Sequence, residues 1–193
     1  MAQLGIVTYN IAKDWDLTTI LTKLESLGYE GVELRTTHAH KVEVNLSKPE
    51  REAIRKRFED SVVQLAGLGS ALEYQSRDPA ILRKNVEGTK EYVRLAHDIG
   101  APGVKVRPNG IPKGADRDAT LQQIGRALHE VGEDANDFGI EIRLEVHGAV
   151  TSQLDHFAKI LQYTDHPNVY ACWNSVPVHT PRTFCTAGSY YCL

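Results

Sequence analysis

The sequence predicts an α/β protein with parallel strands, and two patterns support this prediction. Short apolar stretches alternate with longer amphipathic stretches up to about residue 175, and no interposed hairpin breaks the alternation. The predicted strands begin near residues 4, 31, 62, 103, 140 and 168, so neighbouring starts are roughly 27 to 41 residues apart. That spacing is the size of one strand and one crossover helix, and about six βα units are therefore expected.

The first two units have distinct boundaries. Leu4–Tyr9 is a short apolar run, and Asp16 caps a stretch with apolar residues at helical spacing that ends at Gly28. Gly31–Arg35 begins the next strand. The stretch Ser47–Glu50 carries a capping box with proline in the first turn, which predicts the second helix.

The third unit is the hardest to place. Ser61–Leu65 favours a strand with a glycine-rich exit at 67–70, although a helix continuing through the same residues is a rival interpretation. Asp78 then begins a long amphipathic helix that ends at Gly100. The fourth strand is predicted at Gly103–Arg107, where Pro108 stops it.

The last two units follow the same plan. Apolar residues at helical spacing from Leu121 to Ala135 predict a helix that Gly139 ends, and the fifth strand follows directly. Ser152 is expected to cap the next helix. Asn168–Trp173 is the sixth predicted strand.

The fifth strand carries the clearest chemical signal. Its even-numbered residues from 140 to 146 are apolar, whereas Glu145 and His147 share the opposite face near its carboxyl end. In α/β proteins, ligands bind at this end of the strands. A carboxylate on a central strand is costly unless it is paired or metal-bound, so Glu145 is either functional or in a structural ion pair, for example with Arg143.

Polar residues at the ends of several strands favour a barrel over a doubly wound sheet. A doubly wound sheet would concentrate such residues at one crossover, and the first βα turn lacks the glycine pattern of a dinucleotide-binding unit. The residues concerned are Glu33, Arg35, Lys105, Arg107, Glu145, His147 and Asn174. We therefore predict a (β/α)8 TIM-barrel type of fold that is incomplete, with about six units.

Composition excludes several classes of partner. The formal net charge of -3 offers no basic surface for nucleic acid, and no apolar window is long enough to span a membrane. We expect a cytoplasmic protein that binds a small polar ligand. Lys105 and Arg107 would meet the hydroxyls or phosphate of a polyol. Three cysteines without metal-type spacing support no disulfide framework.

Four stretches of the chain carry a family resemblance. They are Gly28–Leu34, Leu95–Gly100, Leu144–His147 and Cys172–Asn174. In order and spacing they resemble the sugar phosphate isomerase/epimerase family with the xylose isomerase-like TIM barrel, over residues 1 to about 175. The resemblance implies a divalent metal, Mn, Mg, Co or Zn, held by acids and a histidine from strands five to eight.

The resemblance also implies roles for particular residues. Glu145 matches the strand-five ligand and would also be the general base, whereas Asn174 stands where the family usually has Asp, which would weaken metal binding. His147 would bind a substrate hydroxyl, with His38 and Lys105 in support. The implied reaction is isomerisation or epimerisation of a small carbohydrate or sugar phosphate, in which a proton or hydride moves between adjacent carbons.

The C-terminal segment does not continue the pattern. Residues 176–193 have one charged residue and no helical periodicity, so we expect a partial barrel at 1–175 followed by an atypical tail from a truncated or frameshifted reading frame. Half of the implied metal ligands would then be absent, so the divalent metal could be lost from this chain. Exposed sheet edges would favour a homo-oligomer. The alternatives are a non-catalytic sugar-binding or inactive fragment and, less favoured, a relative of the apurinic-site endonucleases.

Overall fold

A computed structural model of the chain describes residues 3–173 and the backbone of residues 190–192. The strands are β1 (Gly5–Val7), β2 (Gly31–Arg35), β3 (Gln64–Glu73), β4 (Gly103–Arg107), β5 (Glu141–Glu145), β6 (Val169–Trp173) and β7 (Tyr190–Cys192). The helices are α1 (Leu17–Ser26), α2 (Lys48–Glu59), α3 (Pro79–Ile99), α4 (Arg117–Asp137) and α5 (Leu154–Thr164).

The strands form one sheet in sequence order, and every neighbouring pair is parallel. A doubly wound sheet would reverse its strand order at a switch point, and this sheet does not. Six strands alternate with helices as in a partial (β/α)8 barrel, which confirms the predicted fold class. All carboxyl ends of the strands lie at one edge, where the polar residues were predicted to meet.

The apolar core lies between the sheet and its helices. It is built from alternate residues of the central strands, each fully or almost fully buried: Val32, Leu34, Val104, Val106, Ile142 and Leu144. Helices α3 and α4 complete it with residues such as Val93, Ile99, Ile124 and Leu128. The side chains that alternate with these core residues along each strand therefore point to the interior of the partial barrel.

Most of the predicted helix starts are confirmed. Asp16 and Asp78 accept hydrogen bonds from backbone amides of the first turns of α1 and α3, and Ser47 forms the predicted capping box of α2. The prediction that Ser152 caps the fifth helix is wrong, since α5 begins at Leu154 and Gln153 is its N-cap. Among the described residues, no helix has the length and apolar character needed to cross a membrane.

The third strand differs from its prediction. It was placed at Ser61–Leu65 with a glycine-rich exit, but β3 starts at Gln64 and runs through the glycines to Glu73. Positions 67 and 69 of this strand are glycine because side chains of neighbouring strands occupy the space that a Cβ would need. A Cβ at Gly69 would lie 2.5 Å from Oε1 of Glu33.

The seventh strand was not predicted. The backbone of residues 190–192 pairs in parallel with Ala171–Trp173 of β6, at the edge that the sequence predicted to be unpaired. The predicted domain boundary at residue 175 stays a prediction, because residues 174–189 lie outside the described part of the chain.

Candidate functional site

A cavity of about 240 Å³ opens at the carboxyl ends of the strands. It is lined by Val7, Tyr9, Arg35, Ser70, Lys105, Arg107, Glu145 and His147. Five of these residues, from β2, β4, β5 and the loop after β5, were among the polar strand-end residues singled out from the sequence. The parallel register brings them together, since Lys105 lies opposite Arg143 and its side chain therefore reaches the same face as Glu145.

A buried ion pair network forms the floor of the cavity. The ammonium of Lys105 lies 2.7 Å from Oε1 of Glu33 and 3.9 Å from Oε2 of Glu145. The Glu33 side chain is 1% exposed and the Lys105 side chain 9%. Burial lowers the pKa of Lys105, but attraction to the two carboxylates outweighs burial and leaves that pKa above its ordinary value.

A second buried ion pair lies below this floor. Arg143 contacts the carboxylate of Glu141 at 2.8 Å, and its Nη1 donates to the carbonyl of Ala66 at 2.7 Å. Gly103 leaves the room for this guanidinium, because a Cβ there would lie 2.7 Å from Arg143 Nε. Charged side chains of β2, β4 and β5 thus form ion pairs on the interior face of the sheet.

The rim of the cavity carries two guanidinium groups. Nη1 of Arg35 donates to Oγ1 of Thr36 at 2.9 Å and to the carbonyl of Gly69 at 3.2 Å, and Nη2 of Arg107 donates to the carbonyl of Ala71 at 3.4 Å. Burial, and then the neighbouring charge of Arg107, lower the pKa of Arg35 below its ordinary value. The two guanidinium groups are therefore close enough to repel each other.

The other predicted site residues fall in different places. His38 does not line the cavity; its ring stacks on that of Tyr9 with centroids 6.4 Å apart. Asn174 lies outside the described residues. Nδ1 of His147 is buried and has no hydrogen-bond partner among the residues that the structure describes. The substrate-binding roles given to His38, Lys105, Arg107 and His147 stay predictions.

Sequence reasoning did not assign Tyr9 or Ser70 to the site. It placed Arg35 among the polar residues at the strand ends, because Arg35 follows Glu33 at the same parity, but it gave this residue no individual role. Tyr9 follows the first strand, but an aromatic residue there is an ordinary surface feature. Ser70 was hidden by the misplaced third strand.

The described residues do not fit a bound divalent metal. In the part of the chain that the structure covers, no cluster of three or more His, Cys, Asp or Glu side chains could hold a metal ion. Among the described residues, Glu145 supplies the only carboxylate that lines the cavity, and this carboxylate faces the ammonium of Lys105, a cation that would repel a metal. Asn174, the other predicted ligand, lies outside the described residues, so metal binding stays a prediction.

Cys172 lies beside the floor of the cavity and predicts a pH dependence of stability. It pairs in register with Glu145, and burial raises the pKa of its thiol from 9.0 to about 11. The folded state therefore holds this proton more tightly than the unfolded chain, and the contribution is complete below pH 9 and is lost between about pH 9 and 11.

We expect Cys172→Ala to flatten the fall in stability across this alkaline range, by on the order of 2 kcal/mol in the free energy of unfolding. The measurement is urea unfolding at pH 8 to 11 for both proteins. Identical slopes in the two series would show that the Cys172 thiol is not the group responsible.

The sequence matches one known protein family over most of its length. The model of the xylose isomerase-like TIM barrel family matches residues 21–177. The chain belongs to the xylose isomerase-like TIM barrel family, which confirms the predicted resemblance. No curated protein sequence matches the chain.

Solved structures with the same fold include sugar epimerases. The chain is similar to the IolI protein with a bound zinc atom (TM-score 0.74, 17% identity, covering 89% of this chain and 62% of that one). It is similar to L-ribulose 3-epimerase (TM-score 0.74, 18% identity, 90% and 60%). A third is D-psicose 3-epimerase with D-tagatose from Clostridium cellulolyticum H10 (TM-score 0.73, 16% identity, 89% and 63%). The chain thus spans about three fifths of the length of these structures, and the likeness shows the fold.

Proposed function

We propose that the cavity binds a small carbohydrate or sugar phosphate and that the chain has the site chemistry of an isomerase or epimerase, with Glu145 as general base. The observation that carries the proposal is the position of Glu145. Its side chain is 13% exposed, it lines the cavity at the end of β5, and hydrogen-bonding groups from β2, β3 and β4 surround the same space. A carboxylate in that setting is screened from bulk water yet accessible to a bound ligand.

The chemistry follows from the groups around Glu145. Isomerisation and epimerisation remove a proton from a carbon next to a carbonyl and return it to a neighbouring carbon or to the other face. Glu145 would accept that proton. Lys105, 3.9 Å from Glu145, would hold the carboxylate in place and would offer positive charge to the oxygen that becomes negative.

The remaining polar groups would orient the ligand. His147 has a buried Nδ1 without a partner among the described residues, so it is suited to bind a substrate hydroxyl. Ser70 donates to the carbonyl of Lys105 at 2.8 Å and fixes the backbone at the cavity floor. The epimerases among the solved relatives support a carbohydrate as the ligand.

A non-catalytic sugar-binding module is the second candidate. Within residues 3–173, no cluster of three or more His, Cys, Asp or Glu side chains could bind a metal, whereas the IolI structure contains zinc. This candidate keeps the cavity and predicts binding without turnover. An endonuclease-like activity is less favoured, because a net charge of -3 gives no basic surface for DNA.

Glu145→Gln tests the proposal. We incubate wild type and variant with ketoses and ketose phosphates in D₂O, with and without Mn²⁺, and follow exchange of the proton next to the carbonyl by NMR. Loss of the general base should slow exchange by about 10² to 10⁴ fold. Glu25→Gln, an exposed carboxylate in α1, is the matched control and should exchange at the wild-type rate.

The outcomes separate the two candidates. Exchange that persists in Glu145→Gln would exclude this residue as the base. Binding of a ligand to the wild type without any exchange would favour the module. Calorimetric titration with Mn²⁺ alone tests the metal prediction separately.

A further inference from the structure

The positively charged side chains around the cavity differ in whether a carboxylate neutralises them. Lys105 on the floor is neutralised by the carboxylates of Glu33 and Glu145. The two rim arginines, Arg35 and Arg107, which we call the cationic rim, have no ion pair among the described residues. They donate hydrogen bonds to a hydroxyl and to backbone carbonyls, all of which are neutral.

Holding two guanidinium groups at one rim costs free energy. Arg35 is partly buried, and its pKa is lowered first by that burial and next by the charge of Arg107. Arginine stays charged at any physiological pH, so the repulsion is not relieved by loss of a proton. An anion placed between the two groups would convert the repulsion into attraction.

The rim also has unused donors. Nε of Arg107 is buried and has no hydrogen-bond partner among the residues described, and the same is true of Nδ1 of His147 on the same cavity. The hydrogen bonds that Arg35 donates to Thr36 and Gly69 all involve Nη1, so its Nη2 and Nε can donate to a ligand. Guanidinium groups match the oxygen atoms of phosphate and carboxylate in geometry and charge.

We propose that the cationic rim binds the anionic group of the ligand, so that the substrate class is sugar phosphates or sugar acids rather than neutral sugars. The inference rests on the proposed function in one respect, that this cavity binds a carbohydrate. The anion lies at the rim on Arg35 and Arg107, and the hydroxylated carbons extend toward Glu145 and His147.

Calorimetry with four probes at one ionic strength tests the inference. The probes are a pentulose, its 5-phosphate, the corresponding pentonate, and inorganic phosphate. We expect the pentulose 5-phosphate or the pentonate to bind at least about tenfold more tightly than the neutral pentulose, and the tighter of the two identifies the anion.

Arg107→Gln should weaken binding of the anionic probe by about tenfold and leave the affinity for the neutral pentulose nearly unchanged. Arg117→Gln, which removes an exposed arginine at the start of α4, is the control for net charge and should bind like the wild type. Arg35→Gln provides a second variant, and an unchanged thermal melt confirms that each variant is folded.

The results distinguish this inference from the proposed function. Equal affinity for neutral and anionic probes, or no effect of Arg107→Gln and Arg35→Gln, would overturn the cationic rim even if Glu145-dependent proton exchange is observed. Tight, arginine-dependent binding of the anion without any proton exchange would support anion binding by the cationic rim and would contradict the proposed isomerase activity.

Discussion

Replacing Lys105 with methionine is expected to lower the free energy of unfolding by about 3–5 kcal/mol. The substitution keeps an unbranched side chain only one atom shorter and removes the cation that lies 2.7 Å from Glu33. Since the Glu33 side chain is 1% exposed, its carboxylate cannot recover solvation from water. Urea unfolding of wild type and variant at neutral pH measures the difference.

Two further variants make this test specific. Lys159→Met removes a lysine that pairs with Asp118 at 3.1 Å but is 46% exposed, and it should cost no more than about 1 kcal/mol. Adding Glu33→Gln to Lys105→Met should restore a large part of the stability, because the uncompensated charge is then gone. A double variant as unstable as Lys105→Met would mean that lost packing, and not the buried charge, explains the effect.

Gly69→Ala is expected to destabilise the protein by about 1–3 kcal/mol and to weaken ligand binding at the cavity. The new Cβ would lie 2.5 Å from Oε1 and 3.3 Å from Cδ of Glu33. The Glu33 carboxylate is 1% exposed and lies 2.7 Å from the Lys105 ammonium, so moving it away from the new Cβ disturbs the floor of the cavity. Thermal unfolding and calorimetry with the pentulose 5-phosphate measure the two effects.

Gly110→Ala is the matched control for this substitution. Gly110 follows β4 near the same edge of the sheet, and a Cβ there would meet no atom within 4 Å. We expect its stability to stay within about 0.5 kcal/mol of the wild type. Equal effects of the two substitutions would show that the contact with Glu33 is not the cause.

Much of the fold could be predicted because its signals are local. Caps at Asp16, Ser47 and Asp78 and apolar residues at helical spacing depend on neighbours in sequence, and all three caps are found in the structure. The third strand was misplaced because glycine is a weak strand former. Gly67 and Gly69 belong in β3 for a tertiary reason, the bulk of side chains on other strands, which local pattern does not show.

The candidate site was predictable to the extent that it follows strand parity. Lys105, Arg107, Glu145 and His147 end parallel strands and line one cavity, as the pattern indicates. The ion pair between Lys105 and Glu33 could not be deduced, because Glu33 lies on β2 and Lys105 on β4. The two side chains meet only because the intervening strand β3 has glycines there. The position of the His38 side chain could not be predicted, because His38 lies in the loop after β2, where the alternation of side chains along a strand no longer applies.

The glycines of the sheet interior also link the evolution of neighbouring strands. Gly69 accommodates the acid at 33, and Gly103 accommodates the arginine at 143. A larger residue at one of these glycine positions would be tolerated only together with a shorter residue at its partner position. Volume inside this partial barrel is therefore shared between strands, and redesign of the cavity should change such pairs of positions together.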